Sequence, residues 1–166
     1  MRVLIAALLT LSAICAIGFA ATQSSAGELV ITRAAVQTTQ PGPSENFTGA
    51  ARISTRFHGA PPSRVTGSVV SFEPGARTNW HTHPVGQTLI VLSGSGWVQR
   101  EGAAKQPIKA GDFVWTPPGV KHWHGAASDS PMSHVAIVEQ LDGKAATWLE
   151  RVTDEQYGEA RSKGTE

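Results

Sequence analysis

The chain holds a single cysteine, Cys15, among 166 residues. It falls inside an apolar run, Val3 to Phe19, that follows Arg2 and precedes the small residues Ala20, Ala21, Ser24 and Ala26. A positive start, an apolar stretch and a small-residue tail have the plan of a secretory signal peptide, here residues 1–26. The rival reading is an uncleaved anchor, because the run approaches the ~18 residues that can cross a bilayer. An anchor has no use for the small-residue tail, which a peptidase needs. Ile14, just before Cys15, is too bulky for a lipid-attachment site. Cleavage then leaves a mature chain without cysteine, which excludes thiol catalysis and disulfides. Exported domains depend on disulfides when their core is too small, and roughly 140 residues suffice for one core. The expected destination is the periplasm or the exterior, with no stable membrane anchor after cleavage.

Charge is also sparse. The formal net charge is +1 and loses one unit with Arg2; the other Lys and Arg residues are scattered singly, so no basic stripe supports binding to nucleic acid or an anionic membrane. There is no repeat of fixed period, no second domain and no long window of 3.6-residue periodicity.

What the sequence does have is many short apolar or alternating windows at turn spacing. Beyond an arm at residues 27–45, with one short strand expected at Glu28 to Val36, they are Phe47 to His58, Val65 to Glu73, Gln87 to Leu92, Trp97 to Glu101, Phe113 to Trp115, His122 to Ala126 and Met132 to Gln140. Pro61-Pro62, Glu73-Pro74-Gly75, Gly94-Ser95-Gly96, Ala110-Gly111-Asp112 and Pro117-Pro118-Gly119 punctuate them as turns. The pattern predicts an all-β, single-domain barrel or sandwich over residues 46–152. At 153–166 a short helix and tail are expected, because Thr153 and Gln156 stand in the order of a capping box.

The histidines carry the chemistry. Five of the six fall at His81, His83, His122, His124 and His134. Residues two apart on a strand share a face, so each close pair can aim its imidazoles at one interior point of a barrel. Neutral imidazole is a ligand for Mn, Fe, Zn, Ni and Cu, and Gln87 can add a carbonyl oxygen. His124 shares the face of His122, and His134 shares a face with Ala136 and Val138, which makes both candidates for proton transfer. Ser68, Val70, Phe72 and Val138 alternate inward as cavity lining, and Thr78 can donate a hydrogen bond to a substrate. Trp80, Trp97, Trp115 and Trp123 are expected at barrel ends or a subunit interface.

Gly75, five residues, His81-Thr82-His83, three residues, Gln87, six residues and Gly94 resembles the first cupin motif, with Gln87 where glutamate is usual. Gly111, five residues, Pro117-Pro118-Gly119, two residues and His122 resembles the second, with Ala126 in place of its final asparagine. Longer strings, among them Phe72 to Thr78, Trp80 to Pro84, Gly86 to Val91, Lys121 to Ala127 and Leu141 to Ala145, resemble the bacterial cupin-type hydroxynitrile lyases over about Asn46 to Tyr157. That resemblance implies a jelly-roll β-barrel, one divalent transition metal on His81, His83, Gln87 and His122, and cleavage or formation of R-configured aromatic cyanohydrins. It implies manganese, with iron, zinc or nickel also suited to the donors. A small-molecule substrate and a homo-oligomer, dimer or tetramer, are expected, with either His134 or His124 as base and the other as proton donor. Two departures stand out: Val138 replaces a polar glutamine, and the relatives lack an export signal. An iron-dependent oxygenase and a small-molecule binding module with a structural metal are the rival functions.

Overall fold

The computed structural model describes residues 27–158; the expected signal peptide, and the tail beyond Gly158, lie outside the described residues. Contacts divide the chain at Ile31, and the barrel belongs entirely to the unit that begins at Thr32.

Twelve strands build that unit. They are β1 (Gln40–Pro41), β2 (Phe47–Thr48), β3 (Ala51–His58), β4 (Val65–Phe72), β5 (Arg77–Thr78), β6 (His81–Thr82), β7 (Gln87–Arg100), β8 (Gln106–Lys109), β9 (Phe113–Thr116), β10 (His122–Ala126), β11 (Met132–Glu139) and β12 (Thr147–Trp148). Every pairing is antiparallel. Along the main path the order is β1-β3-β4-β11-β7-β10-β5-β2. The sheet curls into the all-β jelly-roll barrel that the strand spacing predicts.

Two local expectations give way to tertiary packing. The window Glu28 to Val36 forms no strand; it is irregular and ends in a 3-10 turn, Ala34–Val36, with no strand partner. The arm instead supplies β1, which pairs with Ile53 and Arg52. Gly94-Ser95-Gly96 is no turn either, because β7 runs through it for 14 residues. Its first part pairs with β9 and β11, and its second part with β8 and β10. The glycines let the strand change partners at a barrel corner. At Gly94, φ is +73° and an added Cβ would lie 1.8 Å from Pro131 O, a space only glycine can occupy.

Alternation along β7 decides which side faces in. Gln87, Leu89 and Val91 are buried, whereas Ile90 and Leu92 are exposed. Inside, Phe47, Val70, Phe72, Val91, Ile108 and Met132 form the main core. A fully buried side chain of this size contributes about 1.5–3 kcal/mol.

The C-terminal segment closes the other side. Thr153 N donates to Gln156 Oε1 at 2.9 Å and Gln156 N donates to Thr153 Oγ1 at 3.1 Å, the expected capping box at the start of α1 (Asp154–Gly158). Buried Arg77 donates to Val152 O and to Asp154 Oδ1, and Trp80, Trp123 and Val152 form a second core with Trp97 and Tyr157. Three of the four tryptophans expected at barrel ends therefore hold the C-terminal segment in place. Trp115 is exposed on β9, beside exposed Phe113 and across from β7.

Candidate metal centre

His81 and His122 face each other across β6 and β10. His83 lies just past the end of β6, so strand alternation is not what brings it in. A turn does so, with Gly86 N and Gly119 N both donating to His83 O. Gln87 opens β7 from the far side of the same turn. One imidazole nitrogen of each of His81, His83 and His122 lies within 4.8 Å of the others, and all three residues are buried.

Hydrogen bonds decide which nitrogens face inward. His81 Nδ1 donates to Asn79 O at 2.9 Å, His83 Nδ1 to Ala145 O at 2.7 Å and His122 Nδ1 to Val120 O at 2.9 Å. A carbonyl oxygen only accepts, so each Nδ1 carries the proton and each Nε2 presents a lone pair, the orientation that metal-binding histidines adopt. Desolvation is the main cause holding all three imidazoles neutral, with repulsion from neighbouring imidazoles adding to it at His81 and His122; His122 is lowered to about 4.

The donors fit a cation and little else. His83 Nε2 is buried with no partner. His122 Nε2 stands 2.9 Å from Gln87 Oε1, a lone pair against a carbonyl oxygen. Buried acceptors facing one another are costly, and a divalent ion between three imidazoles and an amide oxygen would satisfy all of them.

The second histidine pair is buried as well. His134 Nε2 and His124 Nδ1 are 3.1 Å apart. Their outer nitrogens, His134 Nδ1 and His124 Nε2, have no partner among the described residues. The ring of His124 is 5.3 Å from that of His81, centroid to centroid. Burial is the first cause lowering both, His134 to about 4, and repulsion from His134 adds to it at His124.

A cavity of about 360 Å³ joins the two groups. Ser68, Val70, Thr78, Val138, His81, His83, Gln87, His124 and His134 all line it. Thr78 is in a strand rather than a turn; its Oγ1 accepts from His124 N at 3.1 Å, which leaves its own hydroxyl proton free to point elsewhere. Val138 is the cross-strand partner of Gln87. Phe72, expected as lining, is instead fully buried core packed against both His124 and His134.

Two contributors escaped the sequence reading. Trp148 lines the cavity and packs its ring 4.8 Å from that of His81. Ala145 orients His83 from 62 residues away through a backbone oxygen, held by a tight turn at Asp142-Gly143 whose φ angles are 51° and 77°. The Asp-Gly pair signals the turn, but nothing local tells which side chain its carbonyl will meet.

Fold and site together define a class: a small antiparallel barrel with a histidine cluster able to hold a metal ion in its ligand cavity. The chain belongs to the cupin family. The Cupin domain profile matches residues 68–138. An (R)-mandelonitrile lyase of Granulicella tundricola is 58% identical over 127 residues, which span 76% of this chain and 97% of that protein. The crystal structure of a cupin-like protein from Thermotoga maritima is 41% identical, with a TM-score of 0.68 over 75% of this chain and 94% of its own. A cupin-2 domain protein from Rhodospirillum rubrum shares the fold alone, at 15% identity and a TM-score of 0.59 over 80% and 86% of the two chains.

Proposed function

We propose that the protein is an exported, metal-dependent lyase that cleaves and forms cyanohydrins. The carrying observation is one cavity lined both by His81 and His83 of the metal-competent cluster and by the neutral pair His124 and His134. The likeness to an (R)-mandelonitrile lyase supports the same reaction.

His81, His83, Gln87 and His122 would hold the metal, manganese on the strength of the resemblance, which supplies Lewis acidity to a substrate oxygen. A neutral amide ligand cancels none of the ion's charge, unlike a carboxylate. The protein's own part is proton transfer. One proton lies between His134 Nε2 and His124 Nδ1, so of the two outer nitrogens one is a lone pair and the other an N–H. With the proton on His134 Nε2, His134 Nδ1 is the base and His124 Nε2–H the acid. His134 then takes the hydroxyl proton, the carbon to cyanide bond breaks with its electron pair leaving on cyanide, and His124 protonates the cyanide. Transfer along the shared hydrogen bond returns both rings to neutrality, with the outer N–H now on His134 Nδ1 and the lone pair on His124 Nε2; aldehyde and hydrogen cyanide leave, and proton exchange with solvent resets the starting tautomer. Burial keeps both imidazoles unprotonated and ready, the state general acid–base catalysis requires.

The test is mandelonitrile cleavage by manganese-loaded protein with and without chelator. Turnover that chelation abolishes and manganese restores supports the reading; no turnover with full metal occupancy rejects it. Oxygen uptake in its place would favour an iron oxygenase.

Export and assembly belong to the same proposal. Residues 1–26 have the plan of a cleaved signal peptide, and an intact Met1 on the secreted protein would refute cleavage. The outer face of β7 and β9 exposes Ile90, Leu92, Phe113 and Trp115, an apolar patch suited to a second copy. A monomer by sedimentation at micromolar concentration would refute that.

A further inference from the structure

Strand β3 is irregular at one place. Ser54 pairs with Val69 and Phe57 with Gly67, so Thr55 and Arg56 together face the single residue Ser68. This is a β-bulge, the device that turns a side chain aside from the regular alternation. Thr55 takes φ +48° there, a left-handed conformation that a β-branched residue adopts only under constraint. The next residue, Arg56, is exposed and borders the cavity that His81, His83, His124 and His134 also line.

Arg56 is out of keeping with its surroundings. No other Arg or Lys lines that cavity, and no Asp or Glu does. Among the described residues the ion pairs are Arg64 with Glu139, Arg77 with Asp154, and Lys121 with Glu101 and Glu150, so Arg56 has no carboxylate partner. On its other side it borders a smaller cleft against Gln37, Thr38 and Gln40, which carry no charge either. Apolar side chains, Ile53, Phe47, Val70 and Trp148, line the same cavity.

We propose that Arg56 is a specificity-determining residue that binds a carboxylate on the substrate. The preferred substrate is then an aromatic or similarly apolar hydroxynitrile, or its aldehyde, with a carboxylate remote from the reacting carbon. Guanidinium and carboxylate match as planar forks with two parallel hydrogen bonds. Apolar walls suit the ring, and the histidines suit the reacting end. The position of that reacting end rests on the lyase reading above; the charge preference does not.

The experiment compares binding of 4-formylbenzoate and benzaldehyde to manganese-loaded protein by calorimetry, in the natural protein, Arg56→Gln and Arg56→Lys. The natural protein should prefer the carboxylate by roughly 10-fold or more, the size of a charge-assisted hydrogen bond. Arg56→Gln should bring the ratio close to one, and Arg56→Lys should retain part of it. Equal affinities in the natural protein would overturn the assignment. So would a preference that survives Arg56→Gln, which would place the carboxylate on the metal. A preference that depends on Arg56, in a protein that cleaves neither mandelonitrile nor the cyanohydrin of 4-formylbenzoate, would support this inference and reject the lyase reading.

Discussion

His134 and His124 share one hydrogen bond of 3.1 Å across the interior of the barrel, linking β11 to β10 where the sheet has curled on itself. Phe72 packs against both rings.

The pair should act as a unit. His134→Ala is expected to lower turnover by roughly 10²-fold or more, the size of one general base, with metal content unchanged. His124→Ala should cost a similar factor, and the double variant little more than either alone, since removing one ring stops the transfer. Steady-state kinetics on the three variants checks this. Full turnover in His134→Ala with collapse in His124→Ala would make His124 the base.

Metal retention should depend on His81, His83 and His122 and not on His124 and His134. His83→Ala and His122→Ala should each lose most bound metal, as judged by elemental analysis after dialysis, while circular dichroism still reports a folded barrel. The effect at His83 should be partly reproduced by disturbing the Asp142-Gly143 turn, because Ala145 O fixes the tautomer of His83; orienting partners of metal ligands are typically worth 10–100-fold in affinity. Full occupancy in His122→Ala would remove the assignment.

Val138 stands across from Gln87 and lines the cavity, but its side chain cannot hydrogen-bond a nitrile. Cyanohydrin turnover is expected to be weak and to rise in Val138→Gln or Val138→His. If neither substitution raises kcat/KM for mandelonitrile, a polar group at this position has no part in the reaction.

Acid should destabilise the metal-free protein earlier than its carboxylates would. His122 and His134 are lowered to about 4 in the folded chain, against about 6.5 when unfolded. Below 6.5 the unfolded chain takes up protons that the folded chain refuses, so stability is full above that pH and falls as pH drops toward 4. His81 and His124 are lowered too, by burial first, and add to the loss. The thermal midpoint should decline measurably between pH 6.5 and 5, a range where carboxylates remain ionised. A flat midpoint there would mean that the buried imidazoles are already protonated.

The metal-competent set was legible because it is written locally. His81, His83 and Gln87 lie within seven residues of one another, flanked by turn glycines, and His122 follows its own turn. Short-range spacing limits where such side chains can point, and the same spacing carried the family resemblance. Thr153 and Gln156 were legible for the same reason, since a capping box closes within four residues. Gly94-Ser95-Gly96 misled because glycines serve equally in a turn and in a strand that bends between partners; only Pro131, packed against Gly94, decides between them. The two-residue strands β5, β6 and β12 are too short to show any period.

By itself, then, the order of residues determined an all-β barrel, the histidines of the metal-competent cluster and the inward face of β4 and β11, since each depends on neighbours one to seven positions apart. Tertiary structure alone decided the rest. It brought Ala145 O to His83, set Trp148 against His81, closed His134 onto His124, and placed Arg56 at the edge of the cavity beside a bulge opposite Ser68. Each of these contacts joins segments separated by ten or more residues along the chain. Their geometry follows from how strands pair and how the barrel closes, and no local pattern of residues encodes that.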